Sequence, residues 1–283
     1  MAKRAIVIAS DTHAGGSTSL CPDEDIHLDD GGFYKPSKTQ RWLNAHWHSM
    51  WKEWMPQTFE EHGVVDWMFV HNGDMFEGDH HSTYQLMTRH PGAQFDVARK
   101  NMEVPLSMDP NKILIVRGTA SHNGKGNSME EAMGSFLHGH GKPVIKTEDD
   151  KYAHWHYRTD VWGTRFDFTH HGRTSGRAWT FKNAVNNLAA DIALSSLRDD
   201  EPYPHYAIRS HFHRENDSYD AQPVRVIQTP AWQTRTEYVW KVVPETVADI
   251  GLIMVICSDD GSSRVEKNII KVKRDRARIE EWK

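Results

Sequence analysis

The chain has 283 residues, 38% of them hydrophobic, with 11 tryptophans and 10 phenylalanines; it can bury roughly three quarters of its unfolded surface, which excludes disorder. A formal net charge of −5 excludes a uniformly basic surface built to coat nucleic acid. No stretch approaches the roughly 20 apolar residues that a helix needs to cross a bilayer.

Taken in chain order, "MAKRAIVIAS" carries an apolar run too short for a secretory signal. Cys21 and Cys257, the two cysteines, lie far apart, as expected in a reducing compartment, so the expected location is cytoplasmic. "RAIVIA" (4–9), "VDWMFV" (65–70) and "KILIVRG" (112–118) read as buried strands, each ending in a polar cluster. Helical patterns lie between and after them, at 38–62, about 94–107 and 127–138. On the first of these, Trp47, Trp51 and Trp54 follow i, i+4, i+7 spacing and form the stripe a helix buries. "AHWHYRTD" and "RFDFTHHG" flank Gly163 as a hairpin. A helix is expected at about 176–198, then a strand through "HYAIRSHFH", then three strands with no helix between them, "VRVIQTPAW", "GLIMVICSDD" and "RVEKNIIKVK". The β-rich second half suggests a second packed sheet. Alternating strands and helices predict a layered α/β fold whose ligands sit beyond the carboxyl ends of the strands. Nothing marks a domain boundary, so residues 1–283 are expected to form one domain, with a helical cap insertion at 14–63.

The polar clusters at the strand ends hold the candidate chemistry. Asp11 and His13 form D-x-H after the first strand, and Asp74 and Glu77 form G-D-x-x-E after the second. His122 follows the third, His171 precedes Gly172 after the hairpin, and His211 and His213 close the series. With 19 histidines in the chain, an H-x-H triplet carries little weight alone, and each cluster singly reads as a solvated loop. Their placement at successive strand ends favours a metal site.

On these residues the chain resembles the calcineurin-like metallophosphoesterase superfamily, in which D-x-H, G-D-x-x-D/E, G-N-H-D/E, H-G and G-H-x-H recur in this order. The resemblance spans residues 11–213. It implies a four-layer αββα sandwich, two packed mixed β-sheets flanked by helices. It also implies two divalent metal ions, manganese first and iron, zinc or cobalt as alternatives, roughly 3.5–4 Å apart. By the same resemblance Asp74 bridges the ions, Asp11, His13 and His213 complete one set and His171 and His211 the other. His122 matches the histidine that protonates the leaving oxygen, and Glu77 would orient it. Arg117 and Arg173, beside these motifs, are candidates to clamp a phosphate; His80 and His81 are candidate extra ligands.

One departure stands out. The family's Gly-Asn-His, whose asparagine is a ligand of the second metal, is replaced by "RGTASHNG", and Ser121, Asn123 or a water could fill that position. This pattern and "GDHHST" resemble phage-encoded phosphoesterases. Gly78 stands where protein serine/threonine phosphatases carry an arginine, which disfavours that activity. The first expectation is a phosphodiesterase or nuclease acting on DNA or a nucleotide through a metal-activated hydroxide. The alternatives are a phosphomonoesterase or nucleotide pyrophosphohydrolase on small substrates, and a metal-stabilised binding protein whose catalysis has lapsed.

Overall fold

In a computed structural model, which describes residues 2–80, 83–123, 128–175, 180–243 and 246–272, the first strand already decides the architecture. Along β1 (Lys3–Ala9), Ala5, Val7 and Ala9 point to one face and Ile6 and Ile8 to the other, and all five are buried, because successive strand residues alternate sides. A strand apolar on both faces must be covered on both.

Chain order continues with β2 (Ile26–His27), β3 (Phe33–Tyr34), α1 (Lys38–Ser49), α2 (Met55–His62), β4 (Val64–His71), α3 (Pro91–Leu106), β5 (Lys112–Ile115), α4 (Ala120–Asn123) and α5 (Ser128–Gly139). It then runs through β6 (Tyr157–Val161), β7 (Thr164–His171), α6 (Phe181–Arg198), β8 (Tyr206–Ser210), β9 (Asn216–Asp217), β10 (Arg225–Gln228), α7 (Glu237–Val242), β11 (Asp249–Ser258) and β12 (Ser263–Lys271). Two five-stranded sheets result, ordered β12-β11-β1-β4-β5 and β6-β7-β8-β10-β9. Both are mixed: β1, β4 and β5 run parallel while β11 is antiparallel to β1, and in the other sheet β7, β8 and β10 run parallel.

Three apolar layers hold these sheets. Ile6, Ile8, Met68, Val70, Ile253 and Val255 of the first sheet meet Phe166, Phe168, Ile208 and Ile227 of the second. The outer face of the first sheet packs under α1, α2, α3 and α5 through Val7, Phe69, Trp47, Trp51 and Met133. The outer face of the second packs under α6 through Val185, Ala189, Ala207 and Val226. The order is therefore helix, sheet, sheet, helix, the four-layer αββα sandwich. Among the described residues no helix is long and apolar enough to cross a membrane.

Residues 38–62 are helical throughout, but Met50–Trp54 make a π-helical segment that shifts the register between α1 and α2. Trp47 and Trp51 are buried, with Trp47 4.7 Å from Trp232 and Trp51 5.2 Å from Phe69 between ring centroids. Trp54, the last residue of that segment, is only partly buried. Trp51→Ala is expected to lower the unfolding free energy by about 3–5 kcal/mol, the usual cost of emptying a buried aromatic site, as measured by denaturant titration; a loss under about 1 kcal/mol would mean that the core closes over the hole.

The end of the chain differs from its sequence expectation. The last three strands are interrupted by α7. They also divide between sheets: β10 joins the second, whereas β11 and β12 complete the first as an antiparallel hairpin beside β1. His81 and the basic run after Val272 lie outside the described residues.

Candidate metal centre

The strands end where the sandwich opens, and the chain there turns sharply. Asp11 (φ 53°), His13 (φ 46°), Asp74 (φ 50°), His211 (φ 78°) and His213 (φ 56°) all adopt left-handed backbone conformations, which cost of order 1–3 kcal/mol each and persist only where the surroundings impose them. His211 and His213 thus lie past the end of β8, in a loop, rather than along one face of a strand. Gly73 (φ 93°) is required on two counts: a Cβ there would meet His170 Nδ1 at 2.4 Å and the Gly118 Cα at 2.9 Å. Gly78 (φ 73°) lies as close to the His122 carbonyl, 2.4 Å from where its Cβ would be.

These turns bring two side-chain groups together. In the first, Asp11, His13 and His213 converge: His13 Nε2 is 3.1 Å from His213 Nε2, and Asp11 Oδ1 lies 3.3 Å from His213 Nε2 and 3.8 Å from His13 Nε2. In the second, Asp74, His170 and His211 converge, with Asp74 Oδ2 3.0 Å from His170 Nε2 and 3.9 Å from His211 Nδ1. Asp74 also belongs to a group with His13 and His122, so it stands between the two sets. His213 faces Asp11 and His211 faces Asp74, one imidazole of the pair on each side.

The donors fit divalent cations. Asp11 Oδ1 is buried and accepts no hydrogen bond, yet it faces imidazole nitrogens of His213, His13 and His170. An oxygen acceptor with imidazoles turned toward it and no donor between them is what a cation would satisfy. Carboxylate with imidazole, and no thiol, suits Mn, Fe, Zn or Co with open positions for substrate.

His170, rather than His171, occupies the second group. His170 is fully buried, donating from Nδ1 to the Asn72 carbonyl (2.7 Å) and facing Asp74 with Nε2. His171 is exposed, its ring 4.9 Å from that of His211. Alternation counted back from buried Phe166 and Phe168 puts His170 on their face, the signal that separates the two. The predicted arginines have carboxylate partners: Arg117 donates to Glu131 (2.7 Å) and the Ala153 carbonyl (2.9 Å), and Arg173 pairs with Asp191 of α6. Both side chains are engaged in structural contacts.

Glu77 touches His122, but not through its carboxylate. His122 Nδ1 donates to the Glu77 main-chain oxygen (2.8 Å), while the carboxylate contacts His13 Nδ1 (3.1 Å), His80 Nε2 (3.2 Å) and Gln233 Nε2 (2.6 Å). Glu77, His80 and His122 form a further cluster with metal-ligating atoms.

The residue after Gly118 contacts the centre through Asp74. Thr119 donates to Asp74 Oδ1 from its backbone N–H (2.6 Å) and its hydroxyl (3.0 Å). Glu130 of α5, fully buried, accepts from the N–H of Met75 (3.2 Å) and of Gly118 (2.7 Å), so one carboxylate fastens the Asp74 loop to the Thr119 loop. Burial and the nearby Asp74 charge push Glu130 up to about 8. Neither residue has a sequence signal beyond its position beside the motifs.

The charges of the site are coupled. Burial opposes ionisation of Asp11 and Asp74, but the surrounding imidazoles outweigh it and hold both well below the usual carboxylate range. Burial likewise opposes the charging of His13 and His170. The nearby Asp11 and Glu77 carboxylates nevertheless hold His13 up at about 10, and the Asp74 and Asp11 charges hold His170 up at about 9. Both imidazoles are therefore protonated at pH 7 in the metal-free protein and must lose those protons to ligate. Manganese addition to the chelated protein at pH 7 in weak buffer should release about two protons per chain, with affinity rising from pH 6 toward pH 9. A calorimetric heat independent of buffer ionisation enthalpy would contradict this.

No family model matches the chain, and neither does any curated protein. Among solved structures, similar folds include a phosphatase from Mycoplasma pneumoniae (8% identity, TM-score 0.44, covering 95% of this chain and 93% of that one). Others are a dimetal phosphatase from Danio rerio (14%, 0.37, 94% and 98%) and Vps29 from Chaetomium thermophilum (11%, 0.34, 94% and 95%). None of these likenesses is strong enough to decide what the chain does.

Proposed function

We propose that the chain is a metal-dependent phosphoesterase of the calcineurin-like metallophosphoesterase superfamily, acting on phosphodiesters such as DNA or nucleotide esters. The observation that carries this reading is the convergence of Asp11, His13 and His213 with Asp74, His170 and His211 around an acceptor oxygen that no donor satisfies. Asp11, His13, His213 and Asp74 would hold one ion, and Asp74, His170 and His211 the second, with Thr119 in the place of the family's asparagine. Two such ions, manganese being the first choice, supply Lewis acidity and an ionised water for in-line attack on phosphorus.

The protein's own groups do the rest. Thr119 fixes the orientation of the Asp74 carboxylate, the Asn72 carbonyl does so for His170 through Nδ1, and Glu77 for His13 through Nδ1. His122 is the proton carrier. Burial and the cationic His13 push it down to about 4. With Nδ1 donating to a carbonyl, the resting imidazole presents an unprotonated Nε2. It takes up a proton there before passing one to the leaving oxygen. We also read residues 1–283 as one domain, in which the 14–63 segment flanks the site through Ser19, whose hydroxyl donates to the His13 carbonyl (2.5 Å). With both cysteines free and buried, we place the protein in the cytoplasm.

Assay of bis-p-nitrophenyl phosphate beside p-nitrophenyl phosphate, with manganese, tests this function. Faster turnover of the diester is expected. Preference for the monoester would replace it with the phosphomonoesterase reading, and hydrolysis of neither by metal-loaded protein would support a lapsed, metal-stabilised binding protein.

A further inference from the structure

The ring of His13 is met on both edges. Its Nε2 faces the first ligand group, 3.1 Å from His213 Nε2 and 3.8 Å from Asp11 Oδ1, while its Nδ1 lies 3.1 Å from Glu77 Oε2. A carboxylate behind a ligating imidazole fixes the tautomer and the ring orientation and raises the basicity of the nitrogen that faces the ion. That carboxylate has a second imidazole to turn to, since His80 Nε2 lies 3.2 Å from Glu77 Oε1. The His80 side chain is 13% exposed and that of His13 only 1%, so Glu77 stands between the buried ligand and the rim of the site.

Gln233 decides which way it is held. The Gln233 Nε2 donates to Glu77 Oε2 at 2.6 Å, the oxygen that faces His13. Gln233 is itself buried, and a bond from an amide to an ionised carboxylate is charge-assisted and gains strength where water is excluded. The backbone beneath the amide is fixed. Ser19 and Gln233 form an antiparallel bridge, flanked by bonds from the Leu20 N–H to the Trp232 carbonyl (2.9 Å) and from the Thr234 N–H to the Thr18 carbonyl (2.9 Å), and the Trp232 N–H donates to the Asp11 carbonyl (2.9 Å). Gly16 leaves the space that Glu77 occupies, because a Cβ there would lie 3.0 Å from Glu77 Oε2.

We infer that Gln233 is a positioning residue of the first metal site: it fixes Glu77 Oε2 behind His13 and so sets the affinity of the ion that Asp11, His13, His213 and Asp74 would hold. The inference rests on the metal-centre reading and adds to it a residue that lies outside every motif. Gln233 touches neither the ion nor the substrate and acts through Glu77.

Gln233→Met, close in size and without a donor, tests it by calorimetric titration of the chelated full chain with manganese. One of the two ions should bind about 10-fold to 100-fold more weakly, the usual cost of removing a group that supports a metal ligand. The other should keep its affinity, because His170 is held by the Asn72 carbonyl and Asp74 by Thr119. Glu77→Gln should weaken the same ion, and Gln233→Met added to Glu77→Gln should weaken it no further, since residues acting in one chain of contacts are not additive. Gln233→Asn, which keeps the amide but shortens its reach, should repeat the loss, and it replaces the methionine variant if that one does not fold. Unchanged affinity in these Gln233 variants, equal weakening of both ions, or full addition of the two losses in the double variant overturns the role. If wild type binds no manganese, the metal centre itself has failed, and the inference with it.

Discussion

Asp74→Asn is expected to remove turnover and strip the centre of metal. Asparagine keeps the side-chain shape and tolerates the left-handed backbone at this position, while it removes the charge and turns one acceptor oxygen into an NH2 donor. His170 Nε2 at 3.0 Å, the Thr119 N–H at 2.6 Å and the Thr119 hydroxyl at 3.0 Å all address this carboxylate. His170, buried and charged against it, would be left without its main counter-charge, and breaking a buried pair of this kind costs about 3–5 kcal/mol. The metal-free variant should therefore melt below metal-free wild type at pH 7. The sign follows from the raised His170 pKa: its stabilising charge is fully present at low pH and is lost as pH rises through about 9, so the gap between variant and wild type should narrow above that pH. Elemental analysis and calorimetry read the two effects. Full metal occupancy in Asp74→Asn would remove Asp74 from between the two groups.

His122→Ala should act differently. Its imidazole touches His13 and His80 edge-on, with ring centroids at 4.5 Å and 4.2 Å, and it also groups with Asp74, but the proposed ligand sets, Asp11, His13, His213 and Asp74 for one ion and Asp74, His170 and His211 for the other, do not include it. Metal content should persist, while kcat falls by about 10²-fold to 10⁴-fold, the usual contribution of a positioned acid or base. The loss should depend on the leaving group. A p-nitrophenolate departs without a proton, so its esters should be affected far less than a dinucleotide, whose leaving alkoxide requires one. Wild-type activity on the dinucleotide should also fall, relative to the p-nitrophenyl ester, as pH rises, because only the dinucleotide needs a proton from His122. Equal losses on both substrates would make His122 a ligand or a packing residue.

Most of the architecture could be read from residues 4–9, 65–70 and 112–118, because strands buried on both faces are unbroken apolar runs and their polar ends must gather at one edge of a parallel sheet. The partner of a strand is a long-range choice that local pattern does not encode. "GLIMVICSDD" could belong to either sheet, and only the folded chain puts β11 against β1. The helix at 38–62 was readable from its tryptophans, but the π-helical turn at Met50–Trp54 was not, since it changes the backbone bonding without changing the residue pattern. In the centre, residues spaced by motif were legible: Asp11, His13, Asp74, His211 and His213 come together. Thr119 and Glu130 were not, because they act on Asp74 through main-chain N–H groups and one hydroxyl, contacts that any polar residue suitably placed could make. Arg117 and Arg173 show the converse: proximity in sequence to a motif says nothing about which way a long side chain turns, and both find carboxylates elsewhere.

The most direct measurement is the metal content of the purified chain after manganese loading and gel filtration, by elemental analysis of wild type beside an Asp11→Asn/His213→Ala variant. The account predicts about two divalent ions per chain in wild type and the loss of at least one in the variant, with the fold retained by circular dichroism. Wild type that carries no manganese, or a variant that carries as much as wild type, would contradict it.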